Sequence, residues 1–258
     1  MLVIPVKAQL SIHIVGAGGT GGYAAEYLTR LLAGEDGHEI HLYDGDIVEG
    51  KNLKRQNFYP DDLEKKKTDV LQQKLCQIQG VPEIVSHPEY LTDAKSFALD
   101  MLTELKPDQS LLVISAVDNI ATRKLINEAV LVHLRDAKTL AIALDSGNHD
   151  QGGQVCVFAN APVRNRQPFK SDQIVALPTM LDLFPEMAKI KDHNPGEGTI
   201  CEDAAEEIPQ AMMANVRNGE LLAWIVSSLK KSYTLPGNLW TSDLITGNTI
   251  CSFKQTPR

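Results

Sequence analysis

Several signatures are missing from this sequence, and each absence narrows the reading. There is no uninterrupted apolar run of roughly eighteen residues, and no charged leader opens into an apolar stretch of signal length. Secretion and membrane spanning are therefore not expected, and the cytoplasm is the expected compartment. Cysteine is sparse. Cys76, Cys156, Cys201 and Cys251 stand far apart without a Cys-x-x-Cys, which excludes a disulfide framework and a self-contained zinc site of the usual spacing. Positive charge is in deficit, with 25 Lys plus Arg against 33 Asp plus Glu and a net charge of -8, so nucleic acid is not an expected partner. No internal repeat or low-complexity tract is found. What remains is a chain of 258 residues, 43% hydrophobic and 22% charged, able to bury a substantial core.

The patterning is that of alternating strands and helices. Leu10 to Val15 reads as a strand that stops at Gly16-Ala17-Gly18-Gly19-Thr20-Gly21-Gly22, and Tyr23 to Leu32 reads as a helix. Further strands are expected at Glu39 to Tyr43, Leu111 to Ser115, Thr139 to Leu144 and Gly152 to Phe158, with helical stretches near 63–79, 93–105 and 119–135. Such alternation implies an α/β fold, a Rossmann-like doubly wound and mostly parallel sheet. Ligands of these sheets sit beyond the carboxyl ends of the strands, where the glycine loop, Asp44 and Ala116 to Asn119 follow. A single domain over 1–258 is expected, divided into a nucleotide-binding core (1–158), a crossover segment rich in Pro, Asn, Lys and Asp (159–203), and a C-terminal helix with hairpin (204–258). Pro209 and Gly219 are expected to interrupt that helix, the hairpin to turn near Thr246-Gly247-Asn248, and Trp224 and Trp240 to pack helix against hairpin.

Gly16, Gly18 and Gly21 form Gly-x-Gly-x-x-Gly, which lets backbone amides approach phosphate and aims a helix N-terminus at its charge. The alternative is a tight structural turn. Asp44, at a strand tip, is placed to accept hydrogen bonds from ribose hydroxyls, as an NAD enzyme would also require. The next residues separate the readings. Asn52, Arg55 and Gln56, then Lys67, supply donors and positive charge suited to a triphosphate and a developing pyrophosphate. Lys65-Lys66-Lys67 taken alone reads as a solvated charge run.

Asp44-x-Asp46-x-Val48-x-x-x-Asn52-Leu53-x-Arg55-Gln56, following Gly-x-Gly-Gly-x-Gly, resembles the adenylating domain of ThiF, MoeB and the ubiquitin-activating enzymes. Lys65-Lys66-Lys67 resembles the family's Gly-Lys-Pro-Lys segment, and Ser115-Ala116-Val117-Asp118-Asn119 followed by Arg123 resembles its Asp-Asn strand end. The resemblance implies ATP and Mg²⁺ as cofactors. Gly16, Gly18, Gly19 and Gly21 would line the loop, and Asp44 would hold the ribose. Asn52, Arg55 and Lys67 would hold the phosphates, Asp46, Gln56 and Asn119 would complete the pocket, and Asp118 would bind the metal. A single carboxylate suits Mg²⁺, which keeps water and phosphate among its ligands. The implied activity is ATP-dependent adenylation of a carboxylate, in this family the C-terminal glycine of a small ubiquitin-like or sulfur-carrier-like protein, by a homodimer. Leu144-Asp145-Ser146-Gly147-Asn148 with Gly152-Gly153-Gln154-Val155, then Leu177-Pro178-Thr179 and Leu183-Phe184-Pro185-Glu186, then Cys201, resembles the ThiF-family proteins of PRTRC-type gene clusters.

Two features depart from the family. The paired Cys-x-x-Cys motifs are absent, and no arginine precedes Arg30, so a trans-acting arginine is not expected ahead of the glycine loop. Cys201, before a predicted helix whose dipole would favour a thiolate, is the candidate thioester nucleophile, although Glu202 and Asp203 oppose that effect. Cys156 reads as core. The histidines His13, His38, His41, His87, His133, His149 and His193 show no metal-ligand spacing and read as satisfied or solvated. Asp145, Asn148 and Asp150 either line the substrate side of the pocket or form a polar loop. An NAD-dependent oxidoreductase and a non-catalytic nucleotide- or partner-binding module are the competing functions.

Overall fold

The computed structural model describes residues 1–149, 151–168, 170–189 and 212–255. In chain order its elements are β1 (Leu2–Val3), β2 (Gln9–Val15), α1 (Gly19–Leu32), β3 (Glu39–Tyr43), α2 (Lys67–Leu75), β4 (Glu83–His87), α3 (Ala94–Glu104), β5 (Gln109–Ser115), α4 (Ile120–Glu128), β6 (Ala141–His149), β7 (Gly152–Ala159), β8 (Val163–Asn165), β9 (Gln173–Val175), α5 (Met180–Leu183), α6 (Met212–Ser232), β10 (Thr234–Leu235), β11 (Leu239–Asp243) and β12 (Thr249–Ser252).

The main sheet has eight strands in the order β12-β11-β7-β6-β5-β2-β3-β4. From β6 to β4 every pairing is parallel, and from β6 to β12 every pairing is antiparallel. The parallel centre is what the sequence implies. Every residue of β3 and β5 is buried, as in strands covered on both faces, and in β5 the four residues 111–114 form a continuous apolar run. The chain leaves β2 for β3 and β4 on one side, then returns to β5 on the other, so the order reverses between β2 and β5. That reversal opens a crevice at the strand ends.

α6 lies along α1, and the contact explains why Gly219 does not interrupt the helix as the sequence suggested. α6 is continuous from Met212 to Ser232. A Cβ at Gly219 would stand 2.8 Å from the Tyr23 Cβ and 3.0 Å from the Ala24 amide nitrogen, so glycine there permits close helix packing. Pro209 lies outside the described residues. Trp240 is buried in β11 as expected, but Trp224 is 49% exposed on the outer face of α6 and does not join helix to hairpin. The hairpin itself turns where expected, with Gly247 at φ +71° between β11 and β12.

Elements not anticipated are short. β4 is an edge strand on which only Ile84 is fully buried, so its apolar signal is weak. β1, β8, β9 and β10 build a separate four-stranded antiparallel sheet in the order β10-β1-β8-β9. It takes in part of the segment 159–189 that reads as irregular. Strands of two or three residues carry no periodicity to detect. No helix among the described residues is long and apolar enough to cross a membrane.

Candidate functional site at the parallel strand ends

Register builds the site. Val15 pairs with Tyr43 on one side and with Ser115 on the other, so the residues following β2, β3 and β5 emerge level. The Gly16 amide donates to the Tyr43 carbonyl at 2.8 Å, and the Ala116 amide donates to the Val15 carbonyl at 2.9 Å. Gly16 takes φ +95°, and a Cβ there would meet the Ala116 carbonyl oxygen at 2.5 Å, so no other residue type fits. α3, α4 and α5 each begin on a side chain that accepts a backbone amide: Asp93 from Ser96, Asn119 from Thr122 and Thr179 from Asp182. α1 begins at Gly18 without a side-chain cap and with no acidic residue in its first turn. Its amides and dipole therefore face the crevice, ready for an anion.

Asp44 closes one wall. Its Oδ2 accepts from the Ala17 amide at 2.7 Å and its Oδ1 from the Asp46 amide at 2.9 Å. Burial raises its pKa above the ordinary carboxylate value, with Lys67 pulling the other way. Asp46 accepts from Lys67 Nζ at 2.7 Å and from the Tyr90 hydroxyl. Burial alone would raise Asp46, but these hydrogen bonds hold it below the usual range. The lysine run divides by environment: Lys65 is exposed, Lys66 Nζ donates to the Gly45 carbonyl at 2.5 Å, and Lys67 is buried at the start of α2. The solvated reading holds for Lys65 and fails for Lys67.

Asn52 is buried, and its Oδ1 accepts from the Glu49 amide at 2.8 Å. Gln56 lies over the loop, with Nε2 3.4 Å from where a Gly18 Cβ would stand and Oε1 buried without a hydrogen-bond partner among the described residues. Arg55 is half-buried and makes no ion pair among the described residues. Across the crevice Asp118 is exposed, and within the described residues its carboxylate accepts no hydrogen bond. Asn119, placed in the cofactor pocket on resemblance, has its Oδ1 engaged in capping α4 at 2.8 Å.

A model of the ThiF family matches residues 7–254. The chain belongs to the ThiF family. It is 39% identical over 126 residues to the ubiquitin-like modifier-activating enzyme 5 of Oryza sativa subsp. japonica, covering 46% of this chain and 29% of that protein. It is 37% identical over 135 residues to the adenylyltransferase and sulfurtransferase MOCS3 of Anopheles gambiae, covering 50% of this chain and 28% of that protein. The chain thus spans less than a third of either of these two relatives. The crystal structure of E. coli MccB with ATP shares the fold, with a TM-score of 0.59 at 18% identity, covering 96% of this chain and 65% of that one.

Within this ThiF-family fold, buried residues behind the crevice hold it in shape. Buried Arg123 pairs with Asp145, while its Nη2 donates to the carbonyls of Val117 at 2.6 Å and Ser146 at 2.8 Å. It fixes the backbone just ahead of Asp118. Asp145 thereby belongs to the interior, and burial pushes its pKa up against the pull of Arg123. Asn148 donates to Thr20 and to Asn215, and Asn215 donates in turn to the Arg55 carbonyl at 3.2 Å, tying β6, α1 and α6 to the polar loop. Tyr90, Asn215 and Asn218 were not singled out from sequence. For the asparagines a signal existed, since two Asn at i and i+3 on the buried face of a helix need specific partners. Cys201 and Asp150 lie outside the described residues. Cys156 is core as expected, and burial drives its thiol pKa far up.

Proposed function

We propose that this ThiF-family protein is a cytoplasmic enzyme that adenylates a carboxylate, using ATP and Mg²⁺. The observation that carries the reading is the juxtaposition of an uncapped helix N-terminus with two groups that the described fold leaves unpaired, the Arg55 guanidinium and the Asp118 carboxylate. The residues present fit the nucleotide. Gly16, Gly19 and Gly21 let the loop fold tightly against Ala116, Asn215 and its own backbone, which brings the α1 amides to the crevice where Gly18 and the other loop glycines would meet phosphate; the orphaned Gln56 Oε1 needs a donor, and Asp44 offers a carboxylate for the ribose hydroxyls. Asn52, Arg55 and Lys67 would meet the phosphates, and Asp118 would hold the metal, which supplies charge neutralisation when bound. Asp46 and Tyr90 position Lys67 and the loop, while Asn119 acts through the start of α4.

In the proposed reaction an oxygen of the partner's ionised carboxylate attacks the α-phosphorus, the bond to the β-phosphate oxygen breaks, and pyrophosphate leaves. Nothing needs to remove a proton, so the protein's work is in-line positioning and stabilisation of the departing charge by Arg55, Lys67 and the α1 amides. The proposed partner is a small ubiquitin-like or sulfur-carrier-like protein; the name of the rice relative supports a ubiquitin-like modifier, and the C-terminal glycine rests on the family resemblance. A thioester on Cys201, homodimer pairing and membership in the PRTRC-associated subgroup are parts of the proposal that rest on the sequence motifs alone.

Calorimetric titration with ATP, with and without Mg²⁺ and beside NAD, tests the pocket, and pyrophosphate exchange with a glycine-ending partner tests the chemistry. The expected result is metal-dependent ATP binding weakened by Lys67→Ala and Asp118→Ala, with exchange in the presence of partner. Binding of NAD in place of ATP would install the oxidoreductase reading. ATP binding without exchange for any such partner would install the non-catalytic one.

A further inference from the structure

The buried face of α6 carries two asparagines one turn apart, and each is hydrogen-bonded at both ends of its amide group. A buried amide costs free energy unless its donors and acceptors find partners, and apolar residues would pack α6 on α1 without that requirement. Asn218 serves the helix-to-sheet contact. Its Nδ2 donates to the Ser146 hydroxyl at 3.2 Å and to the Gly147 carbonyl at 2.9 Å, and its Oδ1 accepts from the Ser242 hydroxyl at 3.5 Å, so its partners are all in β6 and β11. Asn215, 2% exposed, faces a different set. Its Oδ1 accepts from the Thr20 hydroxyl at 3.2 Å and from the Asn148 amide, and its Nδ2 donates to the Arg55 carbonyl at 3.2 Å.

Asn215 thus joins the two sides of the crevice. On one side is the first turn of α1, where a Cβ at Gly19 would stand 2.3 Å from Asn215 Nδ2, so the amide group fills the space that glycine leaves open. On the other side is the polar loop, whose Arg55 and Gln56 amides both donate to the Asn52 carbonyl, at 3.1 and 2.9 Å. The loop is tied to α1 a second time by Asn57, whose Nδ2 donates to Glu26 Oε2 at 3.0 Å about two turns further along the helix. Asn57 holds the end of the loop, whereas Asn215 holds the very residue that carries the guanidinium. No ion pair among the described residues sets the place of that guanidinium, so the anchoring of its backbone does so instead.

We infer that Asn215 is a positioning residue for Arg55, an inference that rests on the adenylating reading of the crevice. One amide group holds the first turn of α1 through Thr20 and the polar loop through the Arg55 carbonyl, which fixes the separation between the helix N-terminus and the arginine. The α1 amides and the guanidinium then meet the same phosphate groups. Charge stabilises a developing pyrophosphate most when its place is set before the ligand arrives, and a side chain buried between helix and loop sets it. Asn215 touches no reacting atom in this assignment and acts through Arg55.

The test is a double-substitution cycle read by calorimetric titration of the full chain with ATP and Mg²⁺. Asn215→Ala and Arg55→Ala should each weaken binding by roughly tenfold or more, the scale of a lost hydrogen bond. The double variant should bind within about twofold of Arg55→Ala alone, because Asn215 then has nothing left to position. Asn218→Ala, which loosens α6 from the sheet, should lower the melting temperature and leave the affinity within about twofold of the parent. In the absence of nucleotide, backbone amide relaxation should show residues 53–57 falling from order parameters of about 0.85 in the parent to below about 0.6 in Asn215→Ala. Equal weakening by Asn215→Ala with and without Arg55 would overturn the inference, as would unchanged order parameters or an equal loss of affinity in Asn218→Ala. A parent chain that binds no ATP would instead remove the reading of the crevice on which the inference rests. If Asn215→Ala does not fold, Asn215→Ser, which keeps a polar group in the buried seat, takes its place in the cycle.

Discussion

Two arginines flank the glycine loop, and the fold treats them in opposite ways. Arg123 is 4% exposed, paired with Asp145 and hydrogen-bonded to two carbonyls, so that its charge and much of its donor capacity are consumed by the protein. Arg55 stands half-buried beside Gln56, without an ion pair among the described residues. The difference teaches how a crevice is made. One region spends charge to hold the backbone in place, and the other leaves a charge without an ion pair among the described residues.

Breaking the first region should cost stability, and breaking the second should cost only function. Arg123→Met leaves Asp145 buried and unpaired, and the expected loss is about 3–5 kcal/mol in urea denaturation. A loss under about 1 kcal/mol would mean that the pair behaves like a surface one and that Arg123 does not anchor the Asp118 loop. Arg55→Ala should lower pyrophosphate exchange by roughly 10²–10³-fold, the scale of removing one preorganised charge-stabilising donor. Its unfolding free energy should stay within about 0.5 kcal/mol of the parent. If exchange is unaffected, the leftover charge does not serve the phosphates and the contrast between the arginines loses its meaning.

Two smaller effects sharpen the contrast by probing parts of the molecule that hold no leftover charge. Gly219→Ala forces a methyl against Tyr23 and Ala24, and overpacking of this kind should cost about 1–3 kcal/mol. Because α6 backs the loop through Asn215, nucleotide affinity should fall with it; unchanged affinity would show that the loop does not depend on the α1–α6 contact. The smallest effect concerns pH. His38 is buried, accepts from the Leu10 amide through Nδ1 at 3.0 Å, and has Nε2 3.2 Å from Glu35 and 3.1 Å from Lys230. Burial lowers its pKa, with Glu35 opposing and Lys230 assisting. The unfolded chain therefore takes up the proton first, and stability should fall as pH drops through about 6.5, the unperturbed histidine value, toward the folded one. His38→Gln should flatten that slope in denaturation series between neutral and mildly acid pH. A slope identical in both proteins would assign the pH dependence to other groups.

Legibility followed the length and regularity of the pattern. The strand from Glu39 to Tyr43 stands where the alternation put it, and the helix after the glycine loop, the return strand ending at Ser115 and the closing hairpin stand within a few residues of their expected places. Asp44 and Asp118 could be placed at the crevice because two strand ends are local features, while the roles given to Lys67 and Asp118 come from the family resemblance. β4 and the small second sheet escaped because strands this short, or this exposed, bury too little apolar surface to leave a periodic trace. Gly219 misled because glycine weakens a helix locally, whereas here contact with α1 decides its conformation.

The sequence by itself determined the fold class, the glycine turn and the identities of the charged residues near it, since these depend on neighbours within a few positions. Only the tertiary structure decided which charges are consumed and which remain. Arg55 and Arg123 are chemically alike. Strand register and helix packing bury Arg123 against a carboxylate and leave Arg55 without an ion pair among the described residues. The stacking of the His13, His41 and His87 rings has the same origin: these residues are far apart along the chain and become neighbours because β2, β3 and β4 pair in parallel.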